Sequence, residues 1–195
     1  MTKYLGVLID NKLSWKQHIE HVRVKIARGI GIMSRVRNYT NRKCLLNLFY
    51  AFVQSHIEYN ILNWTSTKPS FLIPIEMQLK KAIRVISYKN KLDHTRPLFI
   101  SHKILPLQEL IKLRQGVFLW KIKHGYASAP VSNFFSLNNH NEMRFNLITP
   151  SNELQKVYIE YSGVKFWNSL SFEMRAASTL KCFANRLKIM LLNSL

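Results

Sequence analysis

From Trp15 to Met33 the apolar residues Trp15, Ile19, Val22, Ile26, Ile30 and Met33 recur every three or four positions. That spacing follows the α-helical turn and puts all six on one face, which has to be buried against other elements. Ser14, with Gln17 three places on, has the form of a capping box at the start. Gly29 and Gly31 either weaken the helix or let something pack closely against it. A second helix opens at Thr40 or Asn41 and carries Leu45, Leu46, Phe49, Phe52, Val53 and Ile57. It is apolar almost all round and is expected at the centre. Phe71 to Ser87 makes a third, with Pro74 in its first turn. Past a polar linker at 88–94, Thr95 and Pro97 begin a short helix to about Ile104. A longer one, Leu107 to His124, follows Pro106 and stops at Gly125.

Strand signals are few. Tyr4 to Ile9 reads as one strand closed by the turn pair Asp10-Asn11, and a lone strand needs a sheet to join. Val157 to Tyr161 is a candidate short strand. Ser136 to Glu153 is Asn-rich and polar and reads as an exposed loop or boundary. Gly163 to Leu170 is a brief helix carrying Trp167. Ser178 or Thr179 caps a last amphipathic helix on Leu180, Phe183, Leu187 and Leu191. The class is mainly α with a minor β element at the N-terminus.

Charge narrows the function. The chain has 29 Lys+Arg against 10 Asp+Glu, a formal net charge of +19. Such an excess repels itself unless a polyanion neutralises it. Nucleic acid is the commonest such partner, and an anionic membrane surface is the next. Residues 1–60 hold ten basic and three acidic side chains, 61–125 hold twelve and three, and 126–195 hold seven and four. Any polyanion site is therefore expected in the first two thirds. The candidates are Arg23, Lys25, Arg28, Arg35, Arg37, Arg42 and Lys43, followed by Lys80, Lys81 and Arg84. Acids scarcely interleave with them, so a salt-bridged surface is not available. Contacts of this kind supply affinity for phosphates without reading bases. Trp15, Trp64, Trp120 and Trp167 are candidates for stacking on bases, although Trp15 falls on the apolar stripe.

Other chemistries find little support. Cys44 and Cys182 are too few for a disulfide framework or a thiolate zinc site, and an intracellular location, nucleus or cytoplasm, is expected. The N-terminus is a poor signal peptide, and no window approaches the length of a membrane helix. His18 and His21 have a chelating i, i+3 spacing, but apart from Glu20 beside them no Cys or acid with matching spacing completes a set, and solvated or core roles are the simpler reading. Cys44, on an apolar helix, reads as a buried structural residue. Gly29-Ile30-Gly31 lies inside a helical pattern and is no phosphate loop.

Taken in order, the segments resemble the C-terminal region of non-LTR retrotransposon reverse transcriptases, of the LINE type and jockey/CR-like. Lys3-Tyr4-Leu5-Gly6-Val7 through Leu13-Ser14-Trp15, with His18 and Ile19, is similar to the stretch that follows the family's polymerase palm. So are Leu48-Phe49-Tyr50 with His56, Glu58-Tyr59 and Trp64, and the run Gln78 to Ile86. His94-Thr95 with Pro97-Leu98-Phe99, then Gly163 to Leu170, then Phe183 with Leu187 complete the series. Ser171 stands where the family has Pro, and Ala184 where it has Lys.

The resemblance implies a primer-grip hairpin, with Tyr4, Leu5 and Gly6 primer-grip-like, leading into a thumb-like helical bundle. It divides the chain into 1–13 as a remnant of the primer grip, 14–88 as thumb, 89–135 as connecting helices and 136–195 as polar loop and C-terminal helical segment. It also implies a template–primer hybrid as partner and a palm domain that is missing here. The family's two Mg²⁺ ions need clustered carboxylates. Asp10 and Asp93 are the only aspartates, and Asp10 reads as a turn residue. The expectation is a truncated polymerase fragment that needs no cofactor and is not an enzyme on its own, Mg²⁺ belonging to a full-length parent. The alternatives are a degenerate reading frame without activity and a basic membrane-surface protein.

Overall fold

The computed structural model describes residues 1–138 and 141–195, with only the backbone of Asn141 and Glu142. Asn139 and His140, in the expected polar loop, lie outside the described residues. The fold is mainly α with minor β, and the chain forms two compact units, Met1–Leu107 and Gln108–Leu195.

In the first unit, β1 (Thr2–Tyr4) and β2 (Val7–Ile9) pair antiparallel, Tyr4 opposite Val7. The single strand expected over Tyr4–Ile9 is instead a hairpin that supplies its own partner. Its turn residues Leu5 and Gly6 have φ of 45° and 80°, the left-handed pair that matches hairpin twist. Gly6 adopts this freely, whereas Leu5 does so at a steric cost. The Tyr59 hydroxyl donates to the Leu5 carbonyl and ties the turn down.

Asp10 joins hairpin to helix. Its carboxylate accepts from the Lys12, Ser14 and Trp15 amides and the Ser14 hydroxyl, all at 3.0–3.1 Å. These bonds, that of the Ser14 amide foremost, hold its carboxyl below the usual range despite an opposing desolvation effect. The expected Ser14–Gln17 capping box is absent. Trp15 occupies the N-cap in a left-handed conformation, φ 62°, with no side-chain cap. It is half-buried rather than part of the core stripe.

Helix α1 (Lys16–Val36) buries Ile19, Val22, Ile26, Ile30 and Met33 along with His18 and Gly29. A 3-10 turn (Arg37–Tyr39) follows, and the Asn41 side chain caps α2 (Arg42–Phe49) by accepting from the Cys44 amide at 2.9 Å. A π-turn (Tyr50–Gln54) carries the chain into α3 (Ser55–Glu58) and α4 (Ile61–Trp64). This stretch, apolar almost all round, is not buried all round, because Tyr50 and Phe52 are exposed. From α2 to α3 the buried residues are Leu45, Phe49, Val53 and Ile57, each four after the last. In an ideal α-helix a four-residue step drifts about 40°. The wider π-turn offsets that drift and returns Val53 and Ile57 to the buried side. Gly29 of α1 meets this turn, where a Cβ would lie 2.8 Å from both the Phe52 Cβ and its carbonyl oxygen. Only glycine permits that approach.

Helix α5 (Pro69–Ile86) is the main partner of α1. It starts two residues earlier than expected, so Pro74 falls in the second turn. Helix α6 (Arg96–Ser101) follows, shorter than expected, with no side-chain cap from Thr95. Trp64 is fully buried, and its indole N–H donates to the Tyr59 carbonyl at 3.0 Å.

The second unit holds α7 (Leu107–Lys123), from its second residue onward, and α8 (Ala129–Ser132). It continues with β3 (Leu137–Asn138), β4 (Asn141–Phe145), α9 (Val164–Ser169), α10 (Phe172–Arg175) and α11 (Leu180–Asn193). Within the stretch expected as a loop, β3 and β4 pair and end on a buried Phe145. The candidate strand at 157–161 is also corrected: a 3-10 turn (Gln155–Val157) and a π-turn (Ile159–Gly163) occupy it. The Ser162 hydroxyl donates to the Val157 and Tyr158 carbonyls, which stabilises local turns over a strand. Trp167, 0% exposed, donates to the Met143 carbonyl at 3.0 Å and packs on Phe183 with ring centroids 5.5 Å apart. Ser171 caps α10, accepting from the Met174 amide at 3.3 Å, and Thr179 caps α11, accepting from Cys182 at the same distance.

Candidate nucleic-acid interface

The cations of α1 divide by helical geometry. His21, Lys25, Arg28, Ile32 and Arg35 are spaced by fours and threes and so form one flank beside the buried stripe. Lys25, Arg28 and Arg35 are exposed on it. Arg23 lies on the other flank and is held by Glu20 at 2.6 Å. At the far end, the Arg37 guanidinium sits 5.3 Å from the centre of the Tyr88 ring, whose hydroxyl donates to the Thr40 carbonyl at 2.7 Å. Arg42 is close enough to His102 to help burial lower that imidazole's pKa. Lys43 is exposed.

On α5, Lys80 is half-buried and Lys81 exposed, both off the buried stripe of Leu72, Ile75, Leu79 and Ile83. Arg84 donates to the Asp93 carbonyl at 2.8 Å and anchors the 88–94 linker, so part of its donor capacity is already used. The fold thus brings Lys25 to the hairpin turn, keeps Arg28 close enough to act on His21, and sets Arg37 and Arg42 near Tyr88 and His102. Lys80, Lys81 and Arg84 belong to a separate helix face.

Tyr4, Leu5 and Gly6 are all exposed at the hairpin turn. Two clefts share this turn and Tyr59. One, of about 390 Å³, is lined by Tyr4, Trp15 and Tyr59 with Asn60 and Asn63. The other, of about 370 Å³, is lined by His18, His21, Lys25 and His56. Burial lowers the pKa of His21, and the charges of Lys25, Lys3, His56 and Arg28 lower it further. His56 is lowered by burial and then by Lys25, and His18 by burial and then by His21 and Lys25. Every charge acting on these imidazoles is positive, which disfavours a cation and favours an anion.

Three of the four tryptophans have no face free for stacking, whereas Trp15 is half-buried and lines a cleft. Trp64, Trp120 and Trp167 are buried, and each indole N–H is bonded to a backbone carbonyl, that of Trp120 to Ala177 at 3.0 Å. The exposed aromatic rings beside the hairpin are Tyr4 and Tyr59. Tyr59, His21 and His56 are the residues that charge counting missed. Glu20 beside His21 and Glu58 between His56 and Tyr59 mask the signal in the sequence, and the convergence of these residues depends on the fold.

Cys44 is half-buried rather than buried, as is Cys182, and both are free thiols. Among the described residues no cluster of His, Cys, Asp or Glu could hold a metal ion, and no helix is long and apolar enough to cross a membrane. Comparison with protein-family models, curated proteins and solved structures finds no match.

Proposed function

We propose that the first unit binds nucleic acid through its phosphate backbone, in the manner of the thumb region of a LINE-type reverse transcriptase. On this reading the hairpin and α1 lie along a template–primer hybrid, and α5 adds cations from a second face. The chain itself catalyses nothing, and a polymerase palm elsewhere would carry the Mg²⁺ chemistry. One observation carries the reading: residues 1–107 have 18 Lys+Arg against five Asp+Glu. Of those acids, Asp10 holds its own turn, Glu20 holds Arg23, Glu58 accepts from Gln54, and Asp93 accepts from the Asn90 amide. That leaves the cationic surface largely uncompensated, as a polyanion partner requires.

Fluorescence anisotropy with a labelled RNA–DNA hybrid tests this. Affinity should fall steeply, by about a hundredfold or more, between roughly 50 and 200 mM salt. Binding that is absent at low salt, or a flat salt dependence, would overturn the reading. So would tighter binding to anionic vesicles than to hybrid at equal ionic strength.

A further inference from the structure

The cleft formed by the hairpin turn, α1 and α3 has a chemistry of its own. We propose that it is a phosphate-binding site in which His21 and His56, protonated on binding, join Lys25 around one phosphate group of a nucleic-acid strand. This deepens the nucleic-acid reading, and depends on it only for the source of the phosphate.

Four observations support the assignment. First, the polar groups lining the cleft are cationic or neutral: His18, His21 and Lys25 from α1, Ser55 and His56 from α3, with Tyr59 just beyond it, while Lys3 of β1 and Arg28 of α1 add positive charge close enough to act on His21. Second, the nearby carboxylates are engaged elsewhere, Glu20 by Arg23, Glu58 by Gln54 and Asp10 by its own turn. Third, His18 is only 2% exposed, and its Nδ1 accepts from the Leu8 amide at 3.3 Å. The neutral ring then carries its proton on Nε2, a buried donor in the cleft wall with no acceptor. A bare buried donor of this kind is costly and leaves this wall of the cleft without an acceptor. Fourth, a volume of about 370 Å³ lies at the small end of ligand pockets.

The protonation follows from the same charges. Without an anion, Lys25 and burial keep His21 and His56 neutral near pH 7. A phosphate reverses the local field, raises both values and so takes up protons as it binds. Binding therefore tightens as pH falls, whereas an ordinary surface lysine stays protonated over this range and adds no pH dependence.

Ring-¹⁵N NMR of the full chain, titrated first with inorganic phosphate and then with a short RNA–DNA hybrid, provides the test. Phosphate should shift the His21 and His56 ring signals and raise their pKa. Hybrid affinity should increase about tenfold from pH 7.5 to 5.5, and His21→Gln combined with His56→Gln should reduce that gain to about twofold or less. Lys25→Gln, an exposed change that leaves the core intact, should weaken the phosphate response. The site is overturned if saturating phosphate leaves the ring signals unmoved, or if the double variant, folded by circular dichroism, keeps the full pH dependence. Hybrid binding with a steep salt slope but no pH dependence would remove the site and leave the proposed function standing. Ring shifts with phosphate but no hybrid binding would keep the site, assign it to a free phosphate compound and remove the proposed function.

Discussion

The side chain of Asn168 bonds the backbone of Phe145 twice, accepting from its N–H at 3.1 Å and donating to its C=O at 2.8 Å. One amide side chain thus does for β4 what a neighbouring strand would do, while the adjacent Trp167 holds the Met143 carbonyl. The Trp-Asn pair of the Gly163–Leu170 segment is therefore an anchor for the strand, and not an exposed recognition element. Asn168→Ala leaves two backbone groups beside a buried ring without partners. The expected cost is about 1–3 kcal/mol, read by chemical denaturation, together with faster hydrogen exchange at the Phe145 amide.

Two glycines of α1 should respond in opposite directions. Gly29→Ala places a Cβ against the Phe52 backbone, which cannot yield as a flexible side chain would. A loss of about 1–3 kcal/mol is expected. A Cβ at Gly31 meets nothing within 4 Å, so Gly31→Ala should stabilise by about 0.5–1 kcal/mol through helix propensity alone. Thermal melts of both variants check this, and equal effects would show that the close approach to Phe52 is not what requires glycine.

Acid should loosen the first unit. His18, His21, His56 and His102 all have pKa values lowered below 6.5, chiefly by burial. A base lowered in the folded state binds more protons when unfolded. Its stabilising effect is complete above about pH 6.5 and is lost as pH falls below that toward the folded values. The melting temperature should therefore drop between pH 7.5 and 5.5. His18→Gln should flatten this dependence, and added phosphate should offset part of the acid loss if the cleft binds it.

Single cations should separate by flank. Lys25→Gln and Arg28→Gln, on the flank shared with His21, are each expected to lower the salt slope of hybrid binding by about one unit. Arg23→Gln, on the opposite flank and paired with Glu20, should change it little. Equal slopes for all three variants would indicate a diffuse field without a defined face.

Most of the helical framework could be read directly from local order. The buried stripe from Ile19 to Met33, the Asn41 and Thr179 caps, and the positions of α1, α2, α5, α7 and α11 all depend on groups within about four residues of each other. Local order did not settle the segments where a partner beyond one helical turn decided the conformation. Trp15 continues the spacing of the stripe, yet the Asp10 carboxylate draws the chain into a left-handed turn there. Tyr4 to Ile9 is rich in aliphatic residues like one strand, but Leu5 and Gly6 turn it back, and Tyr59, distant in sequence, fixes the turn. The polar composition of 136–153 conceals a strand because its hydrogen-bond partners, Trp167 and Asn168, come later in the chain.

By itself, the sequence determined the helical class, the caps and the uncompensated positive charge, because hydrogen bonds within one turn, apolar periodicity and net charge are all local or additive. The tertiary structure decided which tryptophans are buried, which cations share a flank with His21, and that His21 and His56 meet across one cleft. Burial and field direction depend on which distant segments pack together, and residue order alone does not specify that.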